Sequence, residues 1–259
     1  MLRPRVIPTL LLRHDSLVKT VQFGRFSYIG DPTNTVRIFN EVEVDELAFL
    51  DITATLDGRA PNLRLLADIA NECFMPLAYG GGIRTFEQAR DILHAGFEKV
   101  VVNSATHEDP DLVTRLADHF GSQAVIASID VRRAGRRASV WTRSGTRDTG
   151  LDPVAWAQEM ERRGAGEILL TAIDREGTWT GYDLDLVREV VDAVQVPVIA
   201  NGGAGRVEDI GDVVRTAGAS AAAVGSMVVF QKRGMGVLVN FPSPARLDAV
   251  LGGQPVSRR

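Results

Sequence analysis

Eight short apolar runs cross this chain at nearly even intervals, and longer amphipathic segments fill the spaces between them. The runs occupy 6–12, 47–52, 76–79, 100–102, 125–129, 168–173, 196–200 and 221–224. They are often rich in β-branched residues and mostly apolar on both faces. Strands that are covered on both sides read this way, and such strands belong to parallel sheets. Segments 61–73, 85–95, 110–120, 153–163, 185–193 and 207–216 carry helical periodicity. Thr85 and Asp109 stand where helix caps belong. Strand and helix alternating in this way restrict the fold to α/β: a (β/α)₈ barrel or a doubly wound sheet.

An internal repeat decides for the barrel. Glu46-Leu47-Ala48-Phe49-Leu50 returns 121 residues later as Glu167-Ile168-Leu169-Leu170-Thr171. At the same offset, Met75-Pro76-Leu77-Ala78-Tyr79-Gly80-Gly81-Gly82 returns as Val196-Pro197-Val198-Ile199-Ala200-Asn201-Gly202-Gly203. Asn103-Ser104 falls opposite Gly225-Ser226, and Val6 to Leu11 falls opposite Val125 to Asp130. Four matched segments in one order predict a (β/α)₈ TIM barrel with a two-fold half-barrel repeat over 1–259. The halves divide at about 1–120 and 121–259, with a hairpin insertion at 131–150. Segment 24–33, after the first run, is a second candidate for a mobile lid.

Composition narrows the function. The 259 residues carry a net charge of −4, which disfavours a general nucleic-acid binder. The one cysteine, Cys73, excludes a disulfide scaffold and a cysteine-rich zinc site. No metal or cofactor is expected. No apolar run approaches the roughly 18–20 residues needed to span a bilayer, and the apolar N-terminal stretch reads as a strand. A cytoplasmic protein without a membrane partner is expected.

The glycine clusters carry the strongest chemical signal. Gly80-Gly81-Gly82 and Gly202-Gly203 each end a run and precede a helix. Such turns let an anion approach the backbone closely, and the helix N-terminus behind them attracts it. Barrel phosphate sites favour the ends of strands 7 and 8, here Gly202-Gly203 and Gly225-Ser226. The other half repeats them as Gly81-Gly82 and Asn103-Ser104. The pair predicts two phosphate cups and a phosphorylated substrate.

Acid–base groups should end strands on the same side. Asp130 directly closes an apolar run and is the best catalytic candidate. Asp51, Thr171, Asp174 and Lys19 stand at other strand ends, where Asp51 and Asp174 serve equally well as caps or arginine partners. Arg132, Arg133, Arg136, Arg137, Arg143 and Arg147 crowd the insertion. They either hold an anionic substrate or form a solvated excursion. Arg5, Glu46, Lys99 and Glu167 start four strands and would meet at the barrel floor. Buried charge is costly unless paired, so the residues alone favour a salt-bridged plug over a gate.

Together these residues resemble the HisF family, the cyclase subunit of imidazole glycerol phosphate synthase. The specific stretches are Gly30-Asp31-Pro32, Asp45-Glu46-Leu47, Leu50-Asp51-Ile52-Thr53, Gly80-Gly81-Gly82-Ile83-Arg84, Val102-Asn103-Ser104, Phe120-Gly121-Ser122-Gln123, Gly164 to Thr171 and Gly181-Tyr182-Asp183-Leu184. The resemblance implies a barrel that takes ammonia from a glutaminase subunit docked at its N-terminal face. Arg5, Glu46, Lys99 and Glu167 match the family's charged gate on an ammonia channel. Lys19, Asp51, Thr171 and Asp174 match polar positions at the mouth. Gly82, Asn103, Gly177, Gly203 and Ser226 match its two phosphate sites.

One departure outweighs the matches. The family uses aspartates at the ends of strands 1 and 5 as acid and base. Asp130 keeps the second, but Leu11 holds the first place. The repeat exposes the same asymmetry, since Leu11 is the counterpart of Asp130. One acid–base group contributes about 10²–10⁴ in rate. Glu176, in place of the family's usual aspartate, is a milder change. The chain therefore resembles a HisF-like paralogue of surface-polysaccharide pathways, including lipopolysaccharide biosynthesis. That paralogue works with a glutaminase and a third enzyme in forming acetamidino sugars, and its acceptor is expected to be a phosphorylated small molecule or a sugar nucleotide. The alternatives are the histidine-pathway cyclase and a barrel that only activates a glutaminase.

Overall fold

In the computed structural model, which describes residues 4–135 and 137–252, the eight apolar runs are the eight strands of a closed barrel. The first strand, β1 (Arg5–Arg13), runs past the barrel rim. It folds back as an antiparallel hairpin, β2 (Ser16–Thr20) and β3 (Phe26–Gly30). Three more barrel strands follow, β4 (Leu47–Asp51), β5 (Leu77–Gly80) and β6 (Lys99–Val102). The fifth, β7 (Val125–Ala134), also overruns the rim and pairs antiparallel with β8 (Arg137–Thr142), which pairs with β9 (Arg147–Asp148). The last three are β10 (Glu167–Ala172), β11 (Val198–Asn201) and β12 (Ala221–Val224). Parallel pairing of β12 with β1 and of β7 with β10 closes the ring. The expected hairpin at 131–150 is thus β7 continued through β8 and β9.

Helices cover the outside because their apolar stripes match the outward faces of the strands. They are α1 (Pro32–Glu41), α2 (Leu63–Glu72), α3 (Phe86–His94), α4 (Ser104–Glu108), α5 (Asp111–Phe120), α6 (Pro153–Arg162), α7 (Leu184–Val191), α8 (Val207–Arg215), α9 (Ser226–Val229) and α10 (Pro244–Leu251). Phe39, Leu66, Ile92, Leu112, Met160, Leu186 and Ile210 are fully buried against the sheet. Thr85 caps α3 in a reciprocal capping box with Gln88. Asp109 instead pairs with Arg115 at 2.6 Å, and Pro110 takes the cap position of α5. Among the described residues no helix is long and apolar enough to cross a membrane.

Segment 24–33, the lid candidate, is built from a strand and a cap: Phe26–Gly30 pairs with β2, and the Asp31 side chain caps α1 by accepting from Asn34 N at 2.8 Å. Phe26 and Tyr28 are exposed on that strand, so it shows no apolar alternation to read.

Inside the barrel a second, separate cluster lines the axis. Ile7, Ala48, Ala78, Val101, Ile126, Leu169, Ile199, Ala221 and Ala223 form it, all apolar and four of them alanine. Below it lie the four charges that start strands. Arg5 donates to Glu46 at 2.5 Å and to Glu167 at 2.7 Å, and Lys99 lies 3.0 Å from Glu46 and 3.3 Å from Glu167. Two cations and two anions in mutual contact satisfy one another, which is the arrangement that buried charge requires.

Candidate active site

A cavity of about 510 Å³ opens at the C-terminal ends of the strands. Both hairpins border it, through Phe23, Gly24 and Phe26 on one side and Arg143, Ser144 and Thr146 on the other. They touch across the mouth, where Gly145 lies so close to Phe23 that a side chain in its place would press on the ring.

Each half supplies the same turn. In the first, Gly81 and Gly82 end the β5 turn, and Asn103 and Ser104 join β6 to α4. In the second, Gly202 and Gly203 follow β11, and Gly225 and Ser226 join β12 to α9. All eight residues line the cavity, as does Gly177. Asn103 and Gly225 share an unusual backbone, φ −130°, ψ −89° and φ −117°, ψ −85°. Gly203 has φ +109°, and a Cβ there would collide with the Gly181 carbonyl. Only glycine fits that position, so the backbone itself forms this wall of the cavity.

Asp130 sits low in the mouth, nearly buried. Burial pushes its carboxyl up to about 7, against hydrogen bonds from Thr171, Asn103 and Ser128 that pull the other way. Asn103 Nδ2 donates to Asp130 Oδ2 at 3.1 Å, and Asn201 Nδ2 donates to Thr171 Oγ1 at 3.0 Å. A carboxyl poised near neutrality can both take and give a proton. Leu11 holds the matching place across the mouth and lines the same cavity.

Lys19 lines the cavity and is buried in an ion pair with Glu176. Thr20 Oγ1 and Phe23 N complete the Glu176 shell at 3.0 and 3.3 Å. Lys19 also packs beside Gly225, within 2.9 Å of where a Cβ would stand. Glu176 is a cavity residue that spacing alone does not single out, because it lies in a loop beyond β10 rather than at its end.

Asp51 lines the cavity, but its carboxylate is occupied. It accepts from Thr53 N at 3.0 Å and Ala54 N at 2.9 Å, with Arg59 at 3.4 Å. Asp174 does not join the cavity lining; its side chain is 45% exposed and accepts from Arg133 N at 2.7 Å. The insertion arginines divide. Arg133 pairs with Asp183 at 2.8 Å, Arg132 stacks on Trp141 at 4.5 Å, and Arg137 reaches Gly150 O. Arg147 is exposed, Arg143 lines the cavity, and Arg136 lies outside the described residues.

Similarity to known proteins agrees with this geometry. A family described as "Histidine biosynthesis protein" matches residues 5–233. A Pseudomonas aeruginosa protein provisionally named imidazole glycerol phosphate synthase subunit hisF2 is 49% identical, over 96% of this chain and 99% of its own. A Leptospira borgpetersenii protein, provisionally named as the HisF subunit, is 44% identical over 96% of this chain and 99% of its own. The Caulobacter vibrioides imidazole glycerol phosphate synthase subunit HisF is 43% identical over 97% and 99%.

Proposed function

This chain belongs to the histidine biosynthesis protein family, among HisF-type imidazole glycerol phosphate synthase subunits, and from that premise we propose that it passes glutamine-derived ammonia to an acceptor other than the cyclase substrate. The glutaminase docks at the N-terminal face, where Phe74 stands 87% exposed just before β5. An apolar side chain left in water there favours a partner surface. Ammonia enters at the ring of Arg5, Glu46, Lys99 and Glu167 and follows the apolar axis to the mouth. The acceptor's anionic ends rest in the two glycine cups, and Asp130 handles the proton beside it.

The observation that carries this reading is Leu11 opposite Asp130. A hydrocarbon can neither give nor take a proton, so the two-carboxylate cyclisation loses a group worth about 3–5 kcal/mol of barrier. Among the described residues no other cavity carboxylate takes over on the β1 side: Asp51 is held by backbone N–H groups and Arg59, Glu176 by Lys19, and Glu108 stands at the end of α4, beyond β6. The acceptor class that fits is an acetamido sugar, carried as a sugar nucleotide and converted to its acetamidino form with a third enzyme, in surface-polysaccharide biosynthesis.

The histidine-pathway cyclase is the second reading. It is favoured by the intact pair of cups and by 43% identity to the Caulobacter subunit. Supplying the purified protein with an ammonium salt and the bisphosphorylated aminoimidazole carboxamide nucleotide separates the two. We expect no imidazole glycerol phosphate above the rate without protein, and its release at an enzymatic rate overturns the proposal. Ammonia-dependent turnover of a sugar nucleotide, with the glutaminase and third enzyme present, is the positive result.

A further inference from the structure

The two cups match in backbone but not in charge. Beside the second-half cup, Lys19 is neutralised by Glu176. Arg175 flanks Gly203, but its guanidinium turns to Thr180 Oγ1 at 3.2 Å and does not line the cavity. Arg206 is paired with Asp209 at 3.2 Å. These cations are spent or turned away, and Arg13, which also lines the cavity, lies over the Phe26 ring at 3.9 Å.

Around the first-half cup the positive charge is free. Arg143 comes from the other half of the barrel, at the tip between β8 and β9. Its backbone N–H donates to Ser104 Oγ at 2.9 Å, and the neighbouring Ser144 Oγ donates to Ile52 O at 2.6 Å. Arg143, Ser144 and Gly145 all take positive φ, which bends the tip tightly. These contacts hold Arg143 on the cavity wall next to Ser104 while leaving its guanidinium without a carboxylate partner among the described residues. Arg84, two residues beyond Gly82, also lines the cavity. Among the described residues its side chain hydrogen-bonds only to Gly58 O, at 2.8 Å. Glu108, at the end of α4, is the one acidic side chain near this cup that no cation engages among the described residues. Two arginine forks against one carboxylate leave surplus positive charge here.

A guanidinium binds phosphate oxygens through two parallel N–H groups, and two forks beside one glycine turn suit two linked phosphates better than one. We propose that the first-half cup takes a diphosphate group, with Arg84 and Arg143 as its counter-charges, while the second-half cup takes a single phosphate or an uncharged end. This rests on the reading that the acceptor's anionic ends lie in the cups, and it deepens that reading to an acceptor of the nucleoside diphosphate class.

Isothermal titration of the full chain with inorganic phosphate and with inorganic pyrophosphate tests it at fixed salt. Pyrophosphate should bind at least about tenfold more tightly than phosphate. Arg143→Gln and Arg84→Gln should each weaken pyrophosphate by about tenfold and phosphate by about threefold or less. Arg143→Lys, which keeps the charge and loses the fork, should fall between. Arg147→Gln, on the same hairpin but off the cavity wall, should bind as the parent does. Equal affinity for the two anions, or a preference that survives both glutamine variants, overturns the proposal and leaves the cups standing as phosphate sites. If neither anion binds, the cup assignment is overturned together with it.

Discussion

Leu11 and Asp130 occupy the same position in the two halves of the barrel. Leu11 stands beside Leu50 on the next barrel strand and Val18 on its own hairpin. Asp130 stands beside Thr171 and Trp141 in the corresponding places. Their backbones thus lie in equivalent ladders at the rim of one mouth, and a substitution at either replaces a side chain without moving a strand. The two halves thus place a hydrocarbon and a carboxylate on matching backbone frames.

Leu11→Asp should therefore restore acid–base capacity. Ammonium-driven cyclisation of the bisphosphorylated nucleotide, negligible in the parent, is expected to rise by about 10²-fold or more. Adding Asp130→Asn should abolish the gain. Leu11 is 8% exposed, so the new carboxylate is partly desolvated, and urea denaturation should show a loss of about 1–3 kcal/mol. A variant that folds and cyclises no faster would show that some other feature decides the reaction.

The barrel was legible in the sequence because strands covered on both faces leave continuous apolar runs that repeat at one offset. The paired glycine turns that line the cavity were legible for the same reason. The β2–β3 hairpin was not, since Tyr28 and Phe26 face water, and its first strand follows β1 after two residues that mark no boundary. Glu176 came only from the family resemblance, and its pairing was hidden because Lys19 reaches it across 157 residues of chain. Asp174 was misleading in the opposite way: it follows a strand as an active-site acid would, yet it points to the β7 backbone.

The raised carboxyl of Asp130 gives stability a pH signature. It titrates near 7 in the folded protein against an ordinary value of 3.8. Between those values the folded chain holds a proton that the unfolded chain has released. The contribution of this group to stability is therefore full at the acid end and falls as pH rises through the window. Asp130→Asn cannot titrate, so its Tm should gain on the parent between pH 5 and pH 8. A constant difference across that range would show that Asp130 is not desolvated. Turnover that needs the ionised carboxylate should rise through the same window.

Glu46 is the centre of the floor ring, touched by Arg5 and Lys99 with its side chain 3% exposed. Glu46→Gln leaves both cations with Glu167 alone. A loss of about 3 kcal/mol is expected in urea denaturation, toward the low end for a broken buried pair because Arg5 is part-solvated. In the complex, glutamine-driven turnover should change while turnover on added ammonium, which can enter at the mouth, should not. Equal effects on both would make the ring a plug and nothing more.

Phe74 tests the partner without touching the interior. It is the most exposed of the large apolar side chains among the described residues, and its backbone N–H is bonded to Asn40 Oδ1 at 3.2 Å, which ties the loop to the end of α1. Phe74→Asp removes the apolar contact and places a charge there, while the barrel core stays as it is. Stability should change by no more than about 0.5 kcal/mol. The affinity for the glutaminase, measured by titration calorimetry, should fall by about tenfold or more, the scale expected when a central aromatic anchor is lost. Ammonium-driven turnover should be unaffected. If the complex forms as tightly as before, the glutaminase docks elsewhere, and the charged ring would no longer lie beneath it.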